Sequence, residues 1–214
     1  MNEDIPRIPQ VLDAIKRDTE RLGFTMASEP KTGSLLHTLA ASKPGGRFLE
    51  LGTGTGVGTA WLLAGMDSKS RLESVESDAT VLEIAQRHLG HDPRVTLHRM
   101  DAVEFLAQPH AQFDLIYADT WAGKFTHLDL ALSLLRVGGI YFVDDLLPQP
   151  SWPEGHAPKV AMLIADLEKR PGFVATKLAW ASGLLIMVRI ENTIGTQSEF
   201  RSAEKIFRER EQKQ

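Results

Sequence analysis

Phe48-Leu49-Glu50-Leu51-Gly52-Thr53-Gly54-Thr55-Gly56-Val57-Gly58-Thr59 is the stretch whose reading decides the fold. A short apolar run closes on a carboxylate, glycines alternate, and Val57, Ala60, Trp61 and Ala64 then recur at helical spacing. That is strand, tight turn and helix, with bare backbone at the turn where a ligand can approach closely. The dinucleotide fingerprint Gly-x-Gly-x-x-Gly fails in both frames. Started at Gly52, its third place holds Val57, and started at Gly54 it holds Thr59. A nicotinamide dehydrogenase does not fit that spacing.

Outward from this turn the chain alternates strand and helix, the pattern of a parallel sheet covered on both faces. Strands are predicted at Arg71 to Glu76, Val95 to His98, Phe113 to Ala118 and Gly139 to Val143. Val81, Ile84, Ala85 and His88 form one helical face between them; Leu128, Ala131, Leu132 and Leu135 form another, closed by Gly138-Gly139. Val160, Leu163, Ile164 and Leu167 give a later helix stopped at Pro171-Gly172, and Phe173 to Leu178 with Leu184 to Arg189 read as a hairpin turning at Ser182-Gly183. Ahead of the first strand, a stripe of Ile8, Val11, Leu12, Ile15 and Leu22 opens at Pro9, and a second helix runs from about Pro30 to Ala41. The stretch Glu29 to Gly33 is placed to line an entrance.

At 214 residues, 43% hydrophobic and 24% charged, the chain has the size of one α/β domain with a full core. Residues 1–191 read as that single domain, 1–44 as its cap helices and 192–214 as a charged tail whose Phe200, Ile206 and Phe207 suggest docking. The formal net charge of -4 and the lack of a basic stripe argue against nucleic acid, so a small-molecule partner is expected. There is no cysteine, which excludes disulfides, zinc–thiolate sites and cysteine nucleophiles. With no signal-like or membrane-length apolar run, a cytoplasmic protein without a membrane partner is expected.

The pattern Glu50-x-Gly52-x-Gly54-x-Gly56 resembles the first motif of the class I S-adenosylmethionine (SAM) methyltransferases. The chemistry agrees, since an acidic strand end suits a ligand carrying a sulfonium and an ammonium. The resemblance implies a Rossmann-like mostly parallel sheet of seven strands in the order 3-2-1-4-5-7-6, the last antiparallel, with helices on both faces. It also implies SAM as cofactor, with Glu50, Gly52, Thr53, Gly54 and Gly56 at its methionine end. Ligands lie at the carboxyl ends of strands in such a sheet. Glu76 there is suited to the two ribose hydroxyls, and Asp101 and Ala102 take the place of the family's adenine contacts. Asp101 is equally placed to cap a helix beginning at Ala102.

Three more aspartates end neighbouring strands: Asp119 in Ala118-Asp119-Thr120-Trp121, and Asp144-Asp145 after Val143. Buried carboxylates are costly without a cation. The pattern resembles the metal-dependent O-methyltransferases of the catechol and caffeoyl-CoA type, and implies Asp119, Asp144 and Asp145 as ligands of Mg²⁺, with Ca²⁺ or Mn²⁺ as alternatives. In that type the metal chelates a hydroxyl and lowers its pKa. Ala122 stands where the catechol branch has its lysine base; Lys124 follows two places later, and His127 and His156 are alternative bases. The expected catalytic set is therefore Asp119, Lys124 and His156. Pro148 to Pro158, rich in proline, is expected to be a lid with Trp152 and His156 facing the site.

The function expected is methyl transfer to a hydroxyl of a small molecule. A metal-independent N- or C-methyltransferase and a non-catalytic SAM-binding protein are the alternatives. Family habit adds a homodimer.

Overall fold

In the computed structural model, residues 4, 5, 7–149 and 152–191 are described, so the tail 192–214 and its expected docking lie outside the described residues. The elements are α1 (Leu12–Leu22), α2 (Pro30–Ala41), β1 (Arg47–Leu51), α3 (Val57–Gly65), β2 (Arg71–Glu76), α4 (Ala79–Leu89), β3 (Val95–Arg99), α5 (Ala102–Leu106), β4 (Phe113–Ala118), α6 (Leu128–Ser133), β5 (Leu135–Val143), α7 (His156–Lys169), β6 (Phe173–Leu178) and β7 (Leu184–Arg189). One sheet of seven strands runs β3-β2-β1-β4-β5-β7-β6. Strands β1 to β5 pair in parallel, and β7 alone runs against the others, antiparallel to both β5 and β6.

Strand alternation divides the core into two layers. Leu49, Leu51, Ile116, Ala118, Tyr141 and Val143 face α5, α6 and α7. Phe48, Leu115, Tyr117, Ile140 and Phe142 face the helices that precede and follow β1. Helix α3 is buried on all sides from Val57 to Leu63, which is why its sequence is apolar without an amphipathic stripe. It is sandwiched between the sheet and α2, and a Cβ on Gly33 would lie 2.1 Å from the Trp61 ring.

Two expected boundaries move. The helix foreseen from Pro9 begins at Leu12, because Pro9 opens a turn that the Leu12 N–H closes on its carbonyl. The helical face foreseen through Leu135 stops at Ser133, since Leu135 pairs with Phe113 and starts β5. Between that pair and the next, Leu115 with Ile140, the register shifts around Gly138 and Gly139, so those glycines lie within the strand instead of closing the helix.

No helix among the described residues is long and apolar enough to cross a membrane.

Candidate active site

Strand order reverses between β1 and β4, and the carboxyl ends of strands flanking such a switch point are where an open α/β sheet holds its ligand. A cleft of about 570 Å³ opens there, a size suited to a small molecule. Its wall includes Gly52, Thr53, Gly54, Glu76, Asp119, Lys124, Asp144, Asp145 and His156, and is completed by Phe24 to Glu29 ahead of α2. The expected entrance, Glu29 to Gly33, therefore contributes only Glu29, because Pro30 onward is already helix.

The glycine turn is held from beneath. The Gly52 and Thr53 N–H groups donate to the Val75 carbonyl of β2, and the Asp119 N–H donates to the Leu51 carbonyl of β1. Gly52 has φ +100, and a Cβ there would meet the Asp119 carbonyl oxygen at 2.6 Å, so no other residue serves. The Gly54 N–H donates to Glu76 Oε2 at 2.9 Å, while Oε1 accepts from the Asp78 N–H. Each carboxylate oxygen accepts more than one hydrogen bond, which leaves Glu76 capacity for a ligand's hydroxyls.

Glu50 sits behind this turn. It is 1% exposed, its Oε2 accepts from Thr59 and Ser74, and its Oε1 has no partner. Burial pushes its carboxyl up to about 7, opposed by the Ser74 and Thr59 hydroxyls. A Cβ on Gly58 would lie 2.4 Å from that free Oε1. Ser74 also shares a hydrogen bond with Thr53, linking Glu50 to the cleft wall. Neither Glu50, Gly56, Asp101 nor Ala102 lines the cleft itself. Gly56 instead lets α3 meet α4, where a Cβ would be 2.9 Å from that of Ala85. Asp101 caps α5 by accepting from the Val103 N–H, leaving its carboxylate exposed.

At the other end of the cleft, Asp119 and Asp144 meet through Tyr117. The phenol lies 3.0 Å from Asp119 Oδ2, 2.9 Å from Asp144 Oδ2 and 3.1 Å from the Ser28 hydroxyl. Asp144 Oδ1 accepts from the Asp145 N–H at 2.8 Å and from the Ser182 hydroxyl. Ser182 arrives because the β6–β7 turn is bonded to the chain after β5, through Leu146 N–H to the Gly183 carbonyl and Leu147 N–H to the Ser182 carbonyl. Lys124 is 7% exposed; its ammonium donates to the Asp144 carbonyl at 3.2 Å and lies 4.0 Å from Asp119 Oδ1. Burial, and next Asp144, raise Asp119 well above the carboxylate range, with Lys124 opposing. Asp145 is raised for the same first two reasons.

The expected metal triad does not assemble. Among the described residues no three His, Asp or Glu side chains converge as metal ligands. The oxygens of Asp144 are instead occupied by Ser182, the Asp145 N–H and Tyr117, and the cation beside the carboxylates is Lys124. The donors are of the type Mg²⁺ takes, but they do not converge on one ion.

His156 begins α7 in a box of rings: Trp152 at 4.7 Å, Phe125 at 5.1 Å and Trp121 at 5.5 Å between centroids. It is 8% exposed and its Nδ1 has no partner. Burial, then Lys124 and Lys159, lowers its pKa, so the neutral ring is favoured. Of the expected lid, Gln149, Trp152, Pro153 and His156 line the cleft, and Pro150 and Ser151 lie outside the described residues. His127 sits at the N-terminal end of α6 outside the cleft and lines a neighbouring groove of about 1020 Å³.

Sequence reasoning passed over Ser28, Tyr117 and Ser182. Tyr117 had a signal: it is two residues before Asp119, and so on the same side of the strand. Ser28 and Ser182 had none, since they reach the site from distant loops.

A family model described as a methyltransferase domain matches residues 49–146. The chain is 32% identical over 127 residues to an O-methyltransferase of Aspergillus hancockii, covering 56% of this chain and 50% of that protein. It is 33% identical over 125 residues to a Mycobacterium tuberculosis protein named as an O-methyltransferase, covering 55% of each. The matched stretches span about half the length of these curated relatives. A crystal structure from Klebsiella pneumoniae, likewise named for the O-methyltransferases, superimposes with a TM-score of 0.75 at 26% identity, over 87% of this chain and 92% of that one. The glycine turn at the switch point, the sheet order and these similarities agree: over residues 49–146 the chain is similar to methyltransferase domains, and its likeness lies with proteins named as O-methyltransferases.

Proposed function

We propose that the protein methylates a hydroxyl oxygen of a small planar molecule. Gly52, Thr53, Gly54 and Glu76 would hold SAM, whose contribution is an electrophilic methyl on a sulfonium that leaves a neutral thioether when the methyl is taken. The acceptor lies at the far end of the same cleft, where Trp121, Phe125 and Trp152 offer ring faces.

The observation that carries this reading is His156: a buried imidazole with a free Nδ1, favoured neutral, on the wall it shares with Asp119 and Glu76. A neutral imidazole is a general base at physiological pH. As the hydroxyl oxygen bonds to the methyl carbon and the carbon–sulfur bond breaks, the hydroxyl proton passes to the His156 ring. The aromatic box excludes water and holds the ring in place. No step is routed through a metal, because the three carboxyls do not converge on one ion.

The test is S-adenosylhomocysteine (SAH) release from SAM across a panel of phenols, catechols and aliphatic alcohols. Turnover is expected with a phenolic acceptor. His156→Ala should lower kcat by about 10²- to 10³-fold, the range of a lost general base, with SAH affinity unchanged within about twofold. An unaffected kcat in that variant, or transfer to amines alone, would sink the reading.

A further inference from the structure

Resting on the reading of this cleft as a methyl-transfer site, we infer that Lys124 is its resident cation, doing by a fixed ammonium what a divalent ion does elsewhere. The carboxyls of Asp119, Asp144 and Asp145 share one end of the cleft, and buried carboxyls stay ionised where positive charge answers them. Lys124 is the buried lysine of the site, placed between the Asp119 carboxylate and the Asp144 carbonyl.

The chain around it is shaped to deliver it there. Residues 121–126 fold back on themselves: the Gly123 N–H donates to the Thr126 carbonyl at 2.7 Å and the Lys124 N–H to the Trp121 carbonyl at 3.1 Å, with a bridge between Ala122 and Thr126. Gly123 has φ +84, and a Cβ there would meet the Tyr141 hydroxyl at 2.7 Å. That same hydroxyl donates to the Gly123 carbonyl and pins the turn to β5. Tyr117, bridging Asp119 and Asp144, keeps the two carboxylates together around the ammonium.

An ammonium has three donors. One is given to the Asp144 carbonyl and one faces Asp119, so a third remains for the cleft that Lys124 lines. Directed at the acceptor oxygen, it stabilises the negative charge that develops as the proton moves to His156. Methyl transfer then needs no metal.

The experiment uses the full chain, freed of metals with EDTA. SAH is first titrated calorimetrically, and failure to bind would count against the methyltransferase reading itself. Mg²⁺ and then Mn²⁺ are titrated into the SAH-saturated protein, and melting is followed for the parent, Lys124→Met and Lys124→Arg. Expected are no saturable metal heat, and a melting temperature lower by roughly 5 to 10 °C in Lys124→Met, as for a buried pair that loses one partner. Lys124→Arg should recover part of that loss, and turnover of the parent should be unchanged by excess EDTA. Saturable metal heat that vanishes in Asp144→Asn would overturn the inference, and so would a Lys124→Met variant that melts with the parent.

Discussion

Glu50 illustrates how a single residue couples the motif to stability. Its carboxyl is buried, and desolvation raises it to about 7 against the ordinary 4.5. Between those values the folded chain binds a proton that the unfolded chain has lost, so stability falls as pH rises from about 4.5 through 7, by about 3 kcal/mol in all. Glu50→Gln cannot ionise and should lose this slope. Melting temperatures of the two proteins from pH 5 to pH 8 should diverge, the variant flattening, and parallel curves would refute the assignment. The identity of Glu50 as a motif carboxylate was legible in sequence, but its position was not: an acid before glycines looks like a cleft residue, whereas Thr59 and Ser74 draw it beneath the turn. Asp101 shows the same limit, since a helix N-terminus one residue away claims its carboxylate first.

Among the elements, the α2–α3 contact is the tightest that the sequence encodes and the least readable in it. Gly33 looks like a helix defect, a residue that costs about 1 kcal/mol in an exposed helix. In the fold it is a slot for Trp61, whose ring would lie 2.1 Å from any added Cβ. Gly33→Ala should therefore destabilise despite its better helix propensity, by about 2 kcal/mol. Urea unfolding would show a lower midpoint with an unchanged slope, and a raised midpoint would show that propensity outweighs packing. Elements set by their own periodicity, such as α4 and α7, could be placed from sequence because their buried faces repeat every three to four residues. The end of α6 could not. Leu134 and Leu135 continue the helical period, but pairing with Phe113 takes Leu135 into the sheet, and a long-range partner leaves no trace in a local pattern.

For the whole molecule, topology decides function by bringing the ends of β1, β2, β4 and β5 to one cleft. Alternating strands and helices announce a parallel sheet, yet the order β3-β2-β1-β4-β5-β7-β6 is legible only through the family resemblance, because nothing local states which strands are neighbours. The cleft is assembled from segments 89 and 91 residues apart in sequence, as the contacts of Ser28 with Tyr117 and Asp119 show. Such a site orders few residues on its own. A ligand that binds only the folded state stabilises it by RT ln(1 + [L]/Kd), about 2.7 kcal/mol at a hundredfold excess over Kd. For a chain of this size SAH at that level should raise the melting temperature by roughly 5 to 10 °C. The proposed ribose contact at Glu76 should carry much of this gain, since that carboxylate lines the cleft and keeps acceptor capacity beside its bond to the Gly54 N–H. In Glu76→Ala the shift at the same SAH concentration should fall by at least half, while the ligand-free melting temperature moves little because Glu76 is a partly exposed strand-end residue. An SAH shift of full size in that variant would move the ribose site elsewhere in the cleft, and with it the direction in which the methyl group faces His156.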